Sequence, residues 1–460
     1  MLRRPVQDCA NASTVLTPCG HLSVVRWSPL HHPSASSFAV RQPKIITTLK
    51  TYSWRLFSDD LVAGITVAMV AMPLSLAIAI ASGAEPATGL VTAIIGGFLI
   101  SALGGSRVQI GGPTGAFIVV VFGVIATYGY DGLVLATLMA GVILLVAGYF
   151  RLGRLIAFVP EAVVNGFTIG IAIVIATSQL ADALGLSLTH APADFLEKLP
   201  VLWDARASFN WQALLVAALT IAIIVGLRKL SPRIPGSIIA VTLCSALAVQ
   251  MGWPVDTLAS RFGALPDTLP LPALPQISLD RMIELLPSAL IIAFLAGVES
   301  LLSAMVADRM IAGSHRPNAE LLAQGFANIG SSLFGGLPAT GAIARTATNV
   351  RAGGKTPVAG IVHALVILVV MMTMAPLAGY LAMPALAGLL ILTAWNMSEP
   401  HRWPAYASAR TRDRVLLVVT LALTVLVDLT VAIGVGVAFG LAIRMRERKV
   451  PPSEWTPPER

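Results

Sequence analysis

The sequence predicts an all-α polytopic membrane protein with fourteen transmembrane segments, arranged as a seven-plus-seven inverted repeat. Three observations predict this fold. Only 12% of the 460 residues are charged and 56% are hydrophobic, which is too apolar for an ordinary soluble domain. Apolar runs long enough to cross a bilayer follow one another from Asp60 to Arg446. A motif that is rich in Gly and ends in Thr-Gly-Ala occurs once in each half.

Fourteen apolar runs are separated by short polar connections. They lie near residues 61–82, 87–104, 113–128, 132–150, 160–179, 211–227, 235–252, 286–307, 320–334, 340–350, 357–376, 378–396, 413–429 and 431–445. The runs at 113–128 and 340–350 are short and follow Gly and Pro residues, which disfavour a continuous helix. These runs are the third and the tenth, so the repeat unit is seven segments. Because seven is odd, the two halves have opposite orientations in the membrane.

The positive charges indicate the topology of these segments. Lys and Arg gather in every second connection, and the connections between carry only Lys198, Arg206, Arg261 and Arg281. Positive residues in short loops are retained in the cytoplasm. The sequence therefore predicts a multi-pass protein of the cell (inner or plasma) membrane with both termini cytoplasmic. The lipid bilayer is its expected partner, and the net charge of +8 reflects topology and not binding to nucleic acid.

The two ends of the chain differ from the membrane portion. Residues 1–56 carry scattered Ser, Pro, His and Arg without periodicity, and we expect a disordered cytoplasmic N-terminal tail. An over-long gene model would explain this stretch equally well. Residues 57–446 are the expected transmembrane transport domain, and residues 447–460 are expected to form a short cytoplasmic tail.

The repeated motif predicts a binding site. It reads Gly-Gly-Pro-Thr-Gly-Ala at 111–116 and Gly-Gly-Leu-Pro-Ala-Thr-Gly-Ala at 335–342, a pattern typical of transporters whose substrate lies between two half-helices. Two facing helix starts, with free N–H groups and positive dipole ends, favour an anion. Small residues let a ligand approach the backbone, although they could serve helix packing alone. The candidate substrate-binding residues are Pro113, Thr114, Gly115, Ala116, Thr340, Gly341, Ala342, Ile343, Ala344 and Arg345.

Two charged side chains lie inside apolar runs, where an unpaired charge is costly. Arg345 follows Thr340 by five residues, about one and a half turns, and it suits an oxyanion; alternatively, it forms an ion pair with Glu299. Burial favours the neutral form of Glu299 and a nearby Arg favours the charged form. Glu299 is therefore a candidate ion-coupling residue, or else a hydrogen-bonding clasp between helices. Ser303, one turn further on the same face, could complete a cation site with Glu299.

No other chemistry is predicted. Cys9, Cys19 and Cys244 form neither a CxxC pair nor a disulfide framework. No His or Cys cluster has zinc spacing, and no nucleophile has an adjacent base. We expect neither an enzyme nor a cofactor or metal.

Six stretches resemble the SulP family of anion transporters in order and spacing. They are Glu299–Asp308, Gln324–Ile329, Gly335–Thr346, Ala352–Pro357, Ala394–Ser398 and Val427–Ala432. The resemblance implies a core domain of spans 1–4 and 8–11 and a gate domain of spans 5–7 and 12–14. It also implies an anion site between the starts of spans 3 and 10, next to Arg345. Coupling would use Glu299, and Ser303 matches the hydroxyl neighbour of sodium-coupled members.

Three features depart from the family pattern. Leu74 follows Pro73 where many members have Gln, and Ile78 replaces an aromatic residue. The second span reads Thr-Gly-Leu-Val at 88–91 in place of Tyr-Gly-Leu-Tyr. The chain resembles a bacterial type without the C-terminal STAS domain of most members, unless it is truncated. The more apolar first span leaves the transported anion unidentified.

The expected function is secondary active transport of a small inorganic or organic anion of the sulfate, bicarbonate or dicarboxylate class. Coupling to H⁺ or Na⁺ and an elevator-like movement of core against gate are expected with it. The alternatives are an anion exchanger, an uncoupled anion channel and a nucleobase–cation symporter of the same architecture. The chain could act alone or as a homodimer.

Overall fold

A computed structural model describes residues 42–153, 161–188, 192, 195–231, 234–427 and 435. Most of this part of the chain is helical. The helices are α1 (Lys44–Thr48), α2 (Trp54–Ala81), α3 (Pro86–Val91), α4 (Gly97–Leu103), α5 (Ile118–Tyr149), α6 (Glu161–Ser178), α7 (Leu180–Leu184), α8 (Phe195–Asp204), α9 (Trp211–Leu230), α10 (Gly236–Gln250), α11 (Leu258–Phe262), α12 (Leu279–Ile311), α13 (Pro317–Leu333), α14 (Ile343–Ala352), α15 (Val358–Ala378), α16 (Met383–Met397), α17 (Trp403–Ser408) and α18 (Thr411–Leu426). A π turn at Thr92–Gly96 joins α3 to α4.

These helices follow the apolar runs of the sequence. Thirteen of the fourteen predicted runs coincide with described helices, and the last run, 431–445, lies outside the described residues except for residue 435. Seven helical stretches of the described chain are long and apolar enough to cross a membrane. They are Trp54–Ala81, Pro86–Leu103, Gly115–Tyr149, Glu161–Leu184, Trp211–Leu230, Leu279–Ile311 and Val358–Ala378. The protein is an all-α polytopic membrane protein, as the sequence predicts.

The third and fourth predicted segments are continuous in α5. Gly129, with φ 71° and ψ 177°, interrupts the helix between the runs 113–128 and 132–150. Only Gly adopts this conformation without strain. The chain therefore passes from one segment to the next at a single residue, without a separate loop.

The end of the predicted N-terminal tail is structured, which differs from the prediction. Residues 42–56 include α1, a 3₁₀ turn at Leu49–Thr51 and the start of α2. The Ser53 side chain accepts a hydrogen bond from the Leu56 N–H at 3.3 Å and caps α2. Residues 1–41 and the predicted tail 447–460 lie outside the described residues.

Two short strands bring the two halves of the chain together. β1 (Gly111–Gly112) pairs antiparallel with β2 (Thr340–Gly341), with Gly111 opposite Gly341. The Ala342 N–H extends the pairing by donating to the Ile110 carbonyl at 2.8 Å. Non-helical backbone inside a membrane needs such internal partners. The antiparallel direction is the one expected where equivalent motifs of two inverted halves meet.

Helices α5 and α13 cross at very short distance. A Cβ atom on Gly141 would lie 2.7 Å from Cγ1 of Ile329 and 2.9 Å from the Gly325 carbonyl oxygen. A Cβ atom on Gly325 would lie 2.7 Å from Leu145 Cδ2 and 2.9 Å from the Gly141 carbonyl oxygen. Glycine on both helices is thus a requirement of this crossing, as is common in membrane bundles.

Asp60 fixes the connection between α14 and α15 to α2. Its carboxylate accepts hydrogen bonds from the N–H groups of Lys355 at 2.8 Å and Thr356 at 3.1 Å, and from the Thr356 hydroxyl at 2.5 Å. The Tyr52 hydroxyl, in front of α2, donates to the same carboxylate at 3.2 Å. Burial and then the neighbouring charge of Asp60 raise the pKa of Tyr52 to about 12. The Tyr52 hydroxyl therefore keeps its proton, and its role as donor, at neutral pH.

Candidate functional site

The pairing of β1 with β2 places two helix starts next to each other. Thr114 precedes a 3₁₀ turn, Gly115–Phe117, that leads into α5, and Ala342 precedes α14. Neither residue caps its helix with a side chain. The first N–H groups of both helices are therefore not occupied by a side-chain acceptor. Together with the helix dipoles, they favour a negative group at this place.

Arg345 is buried beside these helix starts, with 1% of its surface exposed. Its Nη2 donates to the Pro113 carbonyl at 2.9 Å and to the Ser75 hydroxyl of α2 at 3.2 Å. Its Nε and Nη1 have no hydrogen-bond partner in the described structure. A Cβ atom on Gly112, where φ is 146°, would overlap Nη1. The backbone thus holds the guanidinium on one side and leaves two of its nitrogens to bind another group.

Two expectations about Arg345 are wrong. Arg345 is the third residue of α14 and lies in its first turn, because Thr340 and Gly341 belong to β2 and the helix starts later than expected. The alternative ion pair between Arg345 and Glu299 does not form. Arg345 takes part in none of the ion pairs between described residues. The guanidinium is oriented toward Pro113 and Ser75 instead.

Glu299 lies on α12 next to the start of α5. Its side chain is half-buried, and its Oε2 accepts a hydrogen bond from the Thr114 hydroxyl at 2.9 Å. Thr114 is also the residue before the Gly115–Phe117 turn. A change in the charge of Glu299 would therefore act directly on one edge of the anion site.

Ser303 forms its hydrogen bond with α14. Its hydroxyl is 3.2 Å from that of Thr346, and the Thr346 hydroxyl accepts a hydrogen bond from the Ile110 N–H at 3.1 Å. Ser303 is fully buried. The structure thus links Ser303 to the strand pairing, one helical turn away from Glu299.

The small residues of the two motifs mostly face protein atoms. A Cβ atom on Gly341 would collide with the Gln109 amide, and one on Gly115 would lie 3.1 Å from Met397 Sδ. The Thr340 hydroxyl donates to the Ala296 carbonyl at 2.9 Å. Other side chains thus fill the Cβ directions of Gly115 and Gly341, so packing alone requires glycine there. The approach of a ligand to their backbone stays a prediction. The remaining candidates are buried Pro113, Ala116 and Ala342, half-buried Ile343 and exposed Ala344.

Sequence reasoning missed several polar residues around the site. Ser75 contacts Arg345, and Gln109 donates through Nε2 to the Ser300 hydroxyl at 2.8 Å and to its carbonyl at 3.1 Å. All three side chains are buried. In the sequence, each of them is a polar residue inside or next to an apolar run. This position predicts burial but does not predict which residue it contacts.

A cavity of about 330 Å³ lies close to one end of the site. Its lining includes Ile118, Phe122 and Gly123 of α5, Val174 of α6 and Thr424 of α18. Ile118 is three residues after Gly115, which is about 6 Å along a 3₁₀ turn. The cavity therefore ends about one helical turn from the helix start.

The arrangement can hold an anion but offers no covalent chemistry. Arg345 supplies charge and two free donors, and the uncapped helix starts supply N–H groups. Clusters of His, Cys, Asp and Glu able to hold a metal ion are absent from the described part of the chain. These donors suit a small negative group.

The comparisons with known proteins agree with this geometry. The sequence pattern of the sulfate permease family matches residues 57–420. The chain is 44% identical to the putative sulfate transporter YvdB of Bacillus subtilis, over 81% of this chain and 71% of that protein. It is 32% identical to the bicarbonate transporter BicA of Picosynechococcus sp., over 73% of this chain and 61% of that protein.

Solved structures show the same fold. The transmembrane domain of a cyanobacterial bicarbonate transporter BicA superimposes with a TM-score of 0.76 at 29% identity, covering 83% of this chain and 99% of that chain. The murine Solute Carrier 26 family member A9 anion transporter gives 0.80 at 18% identity, covering 92% of this chain and 74% of that chain. At that identity the second likeness concerns the fold alone.

Fold and site together define a multi-span membrane transporter and not an enzyme. The chain belongs to the sulfate permease family. This membership confirms the resemblance seen in the sequence. It also favours an anion transporter over a nucleobase–cation symporter.

Proposed function

We propose that the chain is a secondary active transporter of small anions of the sulfate, bicarbonate or dicarboxylate class. One observation carries the proposal: Arg345 is buried between two uncapped helix starts and keeps two guanidinium nitrogens without partners. A buried donor without an acceptor is costly, and a small anion would supply the acceptors. Relatives named as sulfate and bicarbonate transporters support this class of substrate.

Glu299 is the proposed coupling residue. Its carboxylate contacts the Thr114 hydroxyl. Glu299 therefore lies at the edge of the proposed anion site and does not form a hydrogen bond with the Arg345 guanidinium. Binding of H⁺ or Na⁺ at Glu299 would remove a negative charge near the site and favour anion binding. Coupling would then follow from charge compensation between the two ligands.

Movement of a core domain against a gate domain is the proposed mechanism. The core would contain α2 to α5 and α12 to α15, and the gate α6, α9, α10, α16 and α18. At the site, Gly115 of the core faces Ile175 of α6 and Met397 of α16. This contact is apolar and made by flexible side chains, so sliding would break no hydrogen bond or ion pair there.

The orientation is proposed from positive charge. Arg107, Arg151, Arg316 and Lys355 lie in connections between helices, and Arg309 lies in the last turn of α12. Short positive connections stay in the cytoplasm. The start of α2 would then be cytoplasmic, in a cell membrane. The cavity beside Ile118 would open toward the opposite side.

The test is anion uptake into proteoliposomes that contain the purified protein. Sulfate, bicarbonate and a dicarboxylate are offered with an imposed pH gradient, a Na⁺ gradient or neither. We expect one gradient to drive accumulation of at least one anion. Glu299→Gln keeps an acceptor for Thr114 but cannot ionise, so it should retain downhill uptake and lose gradient-driven accumulation.

Glu284→Gln is the matched control, because Glu284 is an exposed carboxylate on the same helix, α12. This variant should accumulate the anion like the wild type. Accumulation by Glu299→Gln equal to the wild type would show that Glu299 is a clasp between helices. Uptake that requires anion inside the proteoliposomes would indicate an exchanger. Uptake that never raises the internal anion concentration above its equilibrium value would indicate a channel.

A further inference from the structure

A second buried carboxylate lies away from the anion site. Glu320 is the fourth residue of α13 and is fully buried. One carboxylate oxygen accepts hydrogen bonds from the N–H groups of Gly105 at 2.9 Å and Ser106 at 3.2 Å. The other accepts from the Ser300 hydroxyl at 3.1 Å and the Gln324 amide at 3.0 Å. Glu320 takes part in none of the ion pairs between described residues. Its carboxylate is held by hydrogen-bond donors and not by a cationic side chain.

A chain of hydrogen bonds connects Glu320 to the strand pairing. The Ser300 hydroxyl that donates to Glu320 accepts from Nε2 of Gln109 at 2.8 Å. Nε2 of Gln109 occupies the place where Gly341 of β2 would carry a Cβ atom. Two side chains thus separate Glu320 from β2, and Ser300 is the residue after Glu299.

The residues held by this network form the re-entrant segment, 105–112, which ends in β1. Glu320 holds its start at Gly105 and Ser106. Gln109 holds its middle to α12. The Asn349 amide of α14 donates to the Val108 carbonyl at 2.8 Å. Pro113 and Thr114, which contact Arg345 and Glu299, follow this segment directly.

We propose that Glu320 is a positioning residue for the anion site. Through Gly105, Ser106 and the Ser300–Gln109 link, it fixes the re-entrant segment so that Pro113 meets Arg345 and Thr114 meets Glu299. Glu320 itself touches neither the anion nor the coupling ion. The inference rests on the proposed function of that site.

The chemistry of the network predicts different effects for two substitutions. Glu320→Ala leaves the N–H groups of Gly105 and Ser106 buried without an acceptor, so the re-entrant segment must shift. Glu320→Gln keeps one oxygen for these two N–H groups. Its NH₂ group can face the Ser300 hydroxyl, and only the Gln324 amide loses its acceptor on residue 320. Positioning by hydrogen bonds is therefore lost in the first variant and largely kept in the second.

The experiment measures KM and Vmax for sulfate and bicarbonate uptake by the full chain in proteoliposomes. We expect Glu320→Ala to raise KM about tenfold while Vmax per folded protein changes less than about threefold. Glu320→Gln should stay within about threefold of the wild-type KM. Glu284→Ala, an exposed carboxylate on α12, should leave both constants unchanged.

Ser300→Ala tests the same network if Glu320→Ala does not fold. It breaks the link between Glu320 and Gln109 without changing a charge, and we expect KM to rise about threefold. In the double variant, Ser300→Ala should add little to Glu320→Ala, because residues of one network are not additive.

An unchanged KM in Glu320→Ala would overturn the positioning role. If Glu320→Ala does not fold, an unchanged KM in Ser300→Ala would overturn it. In either case the proposed function would still stand. Loss of transport in Glu320→Gln equal to that in Glu320→Ala would also overturn the positioning role. If the wild type takes up none of sulfate, bicarbonate and a dicarboxylate under any gradient and gains no thermal stability from any of them, the proposed function fails, and this inference fails with it.

Discussion

Arg345 combines burial with unused hydrogen-bonding capacity. The fork of its guanidinium uses Nη2 for Pro113 and Ser75 and leaves Nε and Nη1 free. One edge of a guanidinium is formed by Nε and Nη2 and the other by Nη1 and Nη2, so the two free nitrogens lie on either side of the occupied Nη2 and each offers an N–H donor to an oxyanion. A Lys at this position would carry the charge without the fork. Recognition of an anion by Arg345, as proposed, would thus depend on shape as well as charge.

Substitution of Arg345 tests this reading. Each hydrogen bond to a charged group contributes about 1.5–3 kcal/mol, so losing both should lower Vmax/KM for anion uptake by roughly 100-fold or more in Arg345→Gln. Arg345→Lys should lie between this variant and the wild type. Initial rates over a range of anion concentration measure both effects.

Arg351→Gln is the control for Arg345. Arg351 is on the same helix, α14, but its side chain is exposed. We expect wild-type uptake from it. Saturable uptake by Arg345→Gln with an unchanged KM would show that the anion binds elsewhere.

At the scale of elements, the crossing of α5 and α13 determines where the site can form. Helix α5 carries the turn at Gly115–Phe117 at its start, and α13 carries Glu320 near its own start. Their contact at Gly141 and Gly325 leaves no space for a side chain. A change in the distance between these helices would displace the re-entrant segment relative to α12.

Gly141→Leu tests the crossing. The new side chain would meet Ile329 and the Gly325 backbone, and overpacking of this kind costs about 1–3 kcal/mol. We expect a lower apparent melting temperature of the purified protein in detergent. Gly123→Leu is the matched control on the same helix, because a Cβ atom on Gly123 has no neighbour within 4 Å. Equal melting temperatures for the two variants would mean that the helices separate without cost.

At the scale of the whole molecule, the proposed movement of core against gate would change access to the site. The cavity of about 330 Å³ has walls from α2 and α5 on one side and from α6, α8 and α18 on the other. Its lining includes Ile118, the first residue of α5. An anion entering from that side would therefore pass along α5.

Cysteine labelling at Gly123 tests this route. In a variant without the native residues Cys9, Cys19 and Cys244, Gly123→Cys would place a thiol in the cavity. We expect a negatively charged, membrane-impermeant methanethiosulfonate reagent to modify it and to block uptake, and a saturating transported anion to slow the reaction.

Asp267→Cys is the control for labelling, since Asp267 is exposed in the connection before α12. Its modification should leave uptake unchanged. Modification of Gly123→Cys at the full rate, without loss of uptake, would place the route elsewhere.

The sequence predicts the helices from local composition, and it predicts the meeting of the two motifs from their repetition in the two halves. Apolar length indicates the spans, and the paired Gly-rich motifs indicate that residues 111–116 and 335–342 serve one site. Gly129 lies between two predicted runs, and the structure places the break there. The position of Arg345 inside an apolar run also predicts that its side chain is buried.

The partners within the site could not be predicted, because they depend on packing between distant helices. Ser75 and Pro113 contact Arg345 across more than 200 residues of chain. Helical spacing places Ser303 on the same face as Glu299, and packing against α14 gives its hydroxyl Thr346 as the partner. The start of α14 was misplaced because Thr340 and Gly341 are bound into β2, a pairing that no local preference indicates.

The strand pairing also has a consequence for the synthesis of the protein. Gly111 and Gly341 are 230 residues apart, so roughly 10–50 s of translation separate them at about 5–20 residues per second. During that time the backbone of the first motif lacks its partner, and lipid does not accept unpaired peptide groups. The nascent first half must therefore wait in the insertion machinery or at the water interface until the second half is made.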